Sequence, residues 1–502
     1  MTEPSTANSF ARRISAREAL ALAGCLALLV ALRLPWVGHL LSWDEAMNLC
    51  SVRAFAAGGT DYFSRWFWHH PPLFNMLLLT LRPLQPGFAE RGELLLIVIS
   101  SLNLLALFLL NRRVMGAGIA LWSCFFLAVL PGVVFYDLWL KQDPLAVLFG
   151  LLALYFFVAR KPLLSGAALG LALLAKEMAV FYAITLILLW LMQGSRRSTR
   201  DLLVVLGLAA LISAWWYLAF SVSIRYFVAF ALGRNTGTDV GIWAEPWHFF
   251  IRLVPEDLGC VGVLLCAAGL VWLARFRAEP GDELQRHAHW WPLCLALPAC
   301  LIFTLAKGKA AWFLVTLLPA FATLAAVGAW GVLRTRTDRG RRPAQVLAAV
   351  VIGGLALVPV IGRDYEGAWQ RQAPQLWQGA NMSREAAQKM NQLVSGGERA
   401  LITPMYYWRG LREQPCPIFT YYLKDMPVLV RRADIPLEPL VDLVKKYKLD
   451  WIMLSPDPEI GYRSVIEPLM KQYKVPAIFL EGACILKVGG IREMAQPRSP
   501  TP

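Results

Sequence analysis

A chain of 502 residues that is 57% hydrophobic and 12% aromatic, with mean hydropathy +0.50, is not a water-soluble globular protein. Its net charge of +15 does not indicate nucleic acid either. The cations cluster in short connectors between apolar runs, the pattern that orients membrane helices. Cysteine excludes little. Six of the nine (Cys25, Cys124, Cys260, Cys266, Cys294 and Cys300) lie in or beside apolar runs, where they act as small hydrophobes, and there is no CxxC. Cys416 and Cys484 share the polar C-terminal region, where an oxidising compartment permits pairing.

The first apolar run, about 18–37, follows Arg12, Arg13 and Arg17 and lacks a small-residue cleavage site, so it reads as a retained anchor. Further predicted spans are 93–111, 115–136, 144–160, 163–176, 178–192, 201–221, 254–275, 289–306, 311–333 and 344–361. Most are long enough to cross a hydrocarbon core of roughly 30 Å. Lys176-Glu177 divides two short runs, where a broken or re-entrant helix is one reading. With the N-terminus inside, the inside segments carry eighteen Lys and Arg against seven in the outside connectors after the first loop, which supports that orientation.

Three outside segments exceed a turn. The first, about 38–92, holds Asp44-Glu45 directly beyond the first span, then His69-His70-Pro71-Pro72 and a short apolar stretch, Leu73 to Leu81, expected to lie at the interface. Carboxylates beside lipid are costly and become functional candidates. The competing readings are a solvated loop acid or N-cap for Asp44 and a helix-start charge for Glu45. The second segment, about 222–252, contains Trp243, Glu245, Trp247 and His248. The third begins near Arg363. There, strand-like runs (Ala400–Ile402, Trp451–Leu454, Ala477–Leu480) alternate with helix-like ones (Leu437 to Lys446, Arg463 to Gln472), which predicts a small α/β domain. Asn381-Met382-Ser383 is a lone glycosylation sequon.

Four polar clusters fall at span ends on the outside: Asp44-Glu45, His69-His70, Asp137/Lys141/Asp143, and Lys176 with Lys307 and Lys309. A transporter or flippase of lipid-linked sugars, the alternative class, concentrates such groups near the bilayer midplane. The chemistry that fits an outer boundary is transfer from a lipid-borne sugar, since no nucleotide sugar is available there. A phosphate leaving group needs cations, and an acceptor hydroxyl needs a base such as a carboxylate. Asp143 has a second reading as the cap of the fourth span before Pro144, Asp137 competes for its role, and Lys307 and Lys309 have one as boundary snorkellers. His69, His70, His248 and Glu245 have no specific metal spacing. No cofactor is called for, and metal dependence stays open.

Trp43-Asp44-Glu45-Ala46, His70-Pro71-Pro72-Leu73, Asp143-Pro144-Leu145-Ala146, Leu174-Ala175-Lys176 and Lys307-Gly308-Lys309 leading to Leu314–Ala320 occur in an order that resembles the GT-C glycosyltransferases. The resemblance is to the protein O-mannosyltransferase and aminoarabinose (lipid A) transferase branch and covers roughly residues 18–335. It implies transfer of a sugar from a polyprenyl-phosphate donor to a lipid, glycan or protein acceptor. Asp44 is implied as general base, Glu45 as the second acid of the pair and Asp143 as a supporting acid. His70, Arg91, Lys176, Lys307 and Lys309 are the candidates for donor contacts. Glu177 departs from the family pattern, where glycine is more usual after the lysine.

The expected protein is thus an α-helical polytopic membrane protein of GT-C type with about eleven transmembrane helices over residues 1–361. A small extracytoplasmic α/β domain (362–493) and a disordered tail (494–502) follow. Its expected place is a bacterial inner membrane, with the N-terminus cytoplasmic and membrane lipids as neighbours. No nucleic-acid partner is expected.

Overall fold

The computed structural model describes residues 14–60, 62–192, 196–220, 225, 228, 232, 246–275, 287–334, 342–361, 370, 374–394, 398–402, 417–423, 428–430, 437–454, 465–480 and 483–492. They fall into two compact units. One holds the described residues of Met1–Gly38, Phe67–Thr236 and Val240–Arg363, the other those of His39–Trp66 and Asp364–Pro502.

In chain order the helices begin with α1 (Ala16–Arg33), α2 (Trp43–Ala56), α3 (Tyr62–Trp66), α4 (Leu73–Leu79), α5 (Phe88–Met115), α6 (Ala117–Val129) and α7 (Pro131–Tyr136). There follow α8 (Asp143–Val158), α9 (Pro162–Ala175), α10 (Val180–Leu191), α11 (Arg196–Ala219) and α12 (Phe249–Arg275). The apolar series closes with α13 (Trp291–Leu305), α14 (Leu318–Arg334) and α15 (Arg342–Leu357).

Among the described residues, five helical stretches are long and apolar enough to cross a membrane: Ala16–Trp36, Phe88–Met115, Thr199–Ala219, Phe249–Arg275 and Ala311–Arg334. Shorter apolar helices cover Ala117–Val129, Asp143–Val158, Pro162–Ala175, Glu177–Leu191, Trp291–Leu305 and Gln345–Leu357. Large apolar side chains stand exposed along them, with Leu218 80% and Leu264 70% accessible, the surface a lipid-facing helix presents. The chain is a membrane protein of mostly helical build.

Local chemistry sets the breaks. Ser15 opens α1 through a reciprocal cap, its hydroxyl accepting from Glu18 N–H while its own N–H donates to Glu18 Oε2. The stretch predicted as a third span is cut at Leu130, which is extended ahead of Pro131, so a short α7 starts at the proline. Helix α12 carries Pro255 and bends at Gly259, whose φ of +68° is the left-handed region that favours glycine. At Lys176 the backbone is extended (φ −157°, ψ 143°) and separates α9 from the turn Glu177–Ala179. The predicted discontinuity at Lys176-Glu177 is therefore an interruption between two helices.

Small residues set the closest packing. A Cβ on Gly269 of α12 would lie 2.0 Å from Leu324 O, and one on Gly328 of α14 would lie 2.1 Å from Leu265 O. These two helices touch backbone to backbone, the packing that small residues permit in membranes. A buried polar knot crosses the same bundle. Asn111 Nδ2 donates to Ser123 Oγ and Thr323 Oγ1, each at 2.9 Å, while its Oδ1 accepts from Trp291 Nε1 at 3.0 Å. Arg33 is equally committed, donating to Asp137 Oδ2 at 2.7 and 3.0 Å and to the Leu29 and Ala128 carbonyls at 3.1 Å.

The second unit contains α2, α3, α16 (Pro374–Leu393), α17 (Pro417–Tyr422), α18 (Leu437–Tyr447) and α19 (Glu467–Gln472). Its sheet is built from β1 (Ala400–Ile402), β2 (Val428–Val430), β3 (Trp451–Leu454), β4 (Ala477–Leu480) and β5 (Ala483–Lys487), in the order β2-β1-β3-β5-β4. The pairs β1–β2 and β1–β3 are parallel, and β3–β5 and β4–β5 are antiparallel. Leu440, Val444 and Leu469 pack with Leu401, Ile452 and Leu486 to form its core. Val428–Val430 and Ala483–Lys487 were not among the predicted strands. Asn381 of the sequon lies inside α16, not on a loop, with Nδ2 bonded to Glu385 Oε1 at 2.7 Å. Cys484 is buried in β5, whereas Cys416 lies outside the described residues.

Candidate active site

In the second unit, α2 begins at the acidic pair. Ser42 donates its N–H to Glu45 Oε2 at 2.7 Å, closing the first turn, and Glu45 Oε1 pairs with His39 Nε2 at 3.0 Å. Both side chains are almost wholly buried, at 1% for Glu45 and 2% for His39. Glu45 thus serves the helix start, and its partner His39 was absent from the sequence reading. Asp44 lies beside it in the same turn, partly accessible.

In the bundle unit, Asp143 is the first residue of α8, and its helix start carries no side-chain cap. Its carboxylate instead accepts from Lys176 Nζ at 2.9 Å, with the two side chains 2% and 10% accessible. The extended backbone at Lys176 brings the ammonium to this position, and Asn103 Nδ2 steadies the first turn of α8 through Pro144 O at 3.0 Å. Asp143 and Lys176 are thus two predicted site residues that the fold brings together. The competitor Asp137 is held by Arg33 in a buried pair.

Next to Lys176, Glu177 Oε1 faces His70 Nδ1 at 3.6 Å, an ion-pair rather than a hydrogen-bond separation. His69 stands edge-on to His70 with ring centroids 5.3 Å apart. Burial, helped by the neighbouring His70 and opposed by Glu177, pushes the His69 pKa down from 6.5 to about 3, so this ring stays neutral at ordinary pH. Glu177 is the second group that the sequence reading left without a role. Its signal was the departure at Lys176-Glu177.

Arg91 sits on α5 and closes the turn before it. Its guanidinium donates to the carbonyls of Leu81, Arg82, Gln85 and Pro86 at 2.6–3.2 Å. Lys309 is buried and donates to Ala306 O, whereas Lys307 is exposed two residues earlier. The Lys141 ammonium lies over the rings of both Trp139 (4.5 Å) and Trp312 (3.4 Å), two cation–π contacts. Among the described residues, no group of three or more His, Cys, Asp or Glu could hold a metal ion. Glu245, from the histidine set considered for metal, lies outside the described residues.

Residues 69–217 match the family model for dolichyl-phosphate-mannose-protein mannosyltransferase. Over most of its length the chain shares the fold of solved membrane-protein structures. ArnT from Cupriavidus metallidurans in the apo state aligns with TM-score 0.65 at 15% identity, over 96% of this chain and 99% of that one. The same protein bound to undecaprenyl phosphate gives TM-score 0.63 at 15% identity and the same coverage. The archaeal oligosaccharyltransferase AglB from Archaeoglobus fulgidus, in complex with an inhibitory peptide and a dolichol-phosphate, gives TM-score 0.56 at 12% identity. That alignment covers 88% of this chain and 70% of AglB. No curated protein sequence matches the chain.

Proposed function

We propose that the protein transfers a sugar from a polyprenyl-phosphate carrier to a hydroxyl of a lipid, glycan or protein on the extracytoplasmic face of a bacterial inner membrane. The observation that carries this reading is the fold that 96% of the chain shares with a protein solved with undecaprenyl phosphate. The reading takes the apolar helices as about eleven spans, with the N-terminus cytoplasmic and the sheet-containing C-terminal domain outside.

The chemistry follows from the groups. Asp44 takes the proton of the acceptor hydroxyl, the oxygen attacks the anomeric carbon, and the carbon–oxygen bond to phosphate breaks. The products are the glycosylated acceptor and polyprenyl phosphate, and a single displacement inverts the anomeric centre. Charge developing on the leaving phosphate calls for fixed cations. Lys176 is the leading one, held by Asp143, with His70, Lys307 and Lys309 as further donors. Arg91 enters the reading as the clamp of its turn, four of its donors being engaged there. Glu45 supports Asp44 by fixing the helix start.

The test compares wild type with Asp44→Asn in membranes supplied with radiolabelled undecaprenyl-phosphate sugars. Label should reach a new acceptor in wild type and fail to in the variant, while undecaprenyl phosphate still binds. Transfer at wild-type rate by Asp44→Asn removes Asp44 as base.

A further inference from the structure

Helix α2 has 14 residues, a length at which an isolated helix is marginal in water, so its rigidity must come from what packs on it. Besides the adjacent α3, its packing partner lies more than 360 residues further along the chain. Met47, Cys50 and Ala54, spaced along one helical face, pack with Phe63, Trp43, Trp66 and Tyr421. Helix α17 supplies polar contacts along the same length. Leu41 N–H, just before the helix, donates to Tyr422 Oη at 3.4 Å, and Cys50 Sγ–H donates to Pro417 O at 3.4 Å. In the last turn Arg53 Nη1 donates to Tyr421 O at 3.4 Å while its guanidinium lies over the Tyr421 ring, 4.3 Å from the centroid. Helix α17 is anchored in turn by Asn391 of α16, whose Nδ2 donates to Tyr422 O at 2.8 Å.

Nothing in the reaction chemistry asks for this arrangement, and the C-terminal segment has no role in the reading above. We infer that α17 is a brace for α2, with Tyr421 and Arg53 as positioning residues for Asp44. The inference rests on Asp44 being the base. The brace works through a guanidinium held over the tyrosine ring together with its bond to the Tyr421 carbonyl, two contacts that fix the rotation of α2 about its axis as well as its depth. A base that wanders loses its hydrogen-bond reach to the acceptor, and a misplacement of about 1 Å costs roughly 100-fold in rate.

Full-length protein in detergent tests this with Tyr421→Leu, Tyr421→Phe, Arg53→Gln and the reference Asp44→Asn. Hydrogen exchange is read on the protein alone. Tyr421→Leu and Arg53→Gln should speed exchange of the α2 amides about tenfold, while the Asn111-centred bundle helices keep wild-type protection. Tyr421→Phe, which keeps the ring face and the backbone carbonyl, should restore protection. In transfer from the radiolabelled undecaprenyl-phosphate sugar that wild type uses, Tyr421→Leu should lower kcat about 10- to 100-fold with the donor KM within about twofold. Wild-type exchange in both disrupted variants, or a Tyr421→Phe as defective as Tyr421→Leu, overturns the brace. So does a loss confined to donor KM. Full activity in Asp44→Asn overturns the base itself. An inactive Asp44→Asn beside a fully active Tyr421→Leu removes only the brace.

Discussion

Lys176 and Asp143 form a buried ion pair 2.9 Å long at the point where the chain leaves helical geometry between α9 and the next turn. A buried ammonium needs a counter-ion at hand, and Asp143 is that counter-ion. Removing one partner leaves a buried charge uncompensated, at a cost of about 3–5 kcal/mol. Lys176→Met is therefore expected to lower the detergent-solubilised Tm more than the double variant Lys176→Met/Asp143→Asn does. Equal losses in the two would mean the pair is solvated. The same Lys176→Met should also raise the donor KM.

Arg91 offers a separation of structure from binding. Its planar fork reaches four carbonyls of one turn, a geometry lysine cannot reproduce. Arg91→Lys should lower Tm, by about 1–3 kcal/mol of stability, with the donor KM unchanged. A raised KM without loss of Tm would instead make Arg91 a phosphate ligand.

The contact of α12 with α14 has no room for a methyl group, since a Cβ on Gly269 would lie 2.0 Å from a backbone oxygen. Gly269→Ala should cost about 1–3 kcal/mol or more, read as a fall in Tm. Gly24, in α1 with nothing within 4 Å of its would-be Cβ, is the control. There alanine should stabilise by about 0.5–1 kcal/mol. Similar behaviour at both positions would contradict the close approach.

The Asn111 knot is the polar counterpart. Ser123 and Thr323 also donate to the Ile119 and Pro319 carbonyls, so Asn111→Leu strands chiefly the indole N–H of Trp291. The expected loss is about 1–3 kcal/mol, measured by thermal unfolding. Adding Trp291→Phe should recover part of it, because both partners are then gone. A further drop instead would place the weight on indole packing.

His69 sets an acid limit. Its pKa falls from 6.5 to about 3 on folding, so between these values the unfolded chain binds more protons than the folded one. The His69 contribution to stability therefore falls as pH drops through that window and is constant above about 6.5. His69→Gln should flatten the Tm–pH profile between pH 6.5 and the lowest pH at which the protein stays soluble. An unchanged profile would assign the acid limit to other groups.

The sequence by itself determined the apolar helices, because a bilayer demands long uncharged runs and backbone bonds closed within each helix. It also marked the acidic pair, the Asp-Pro start of α8 and the interruption at Lys176, since proline and paired charges act locally. The division of the third apolar stretch at Pro131 follows from the same local proline rule, whereas β2 and β5 could not be found because their pairing depends on partners distant in the chain. The partners of the charges were equally illegible. That Glu45 meets His39, Glu177 meets His70, Asp137 meets Arg33 and Arg53 meets Tyr421 follows from how distant segments pack, and for His39 from the turn that precedes α2. A charge in a sequence shows only that a cost must be met. The tertiary structure decides which group meets it, because Coulomb and hydrogen-bond energies depend on distances that only the folded chain defines.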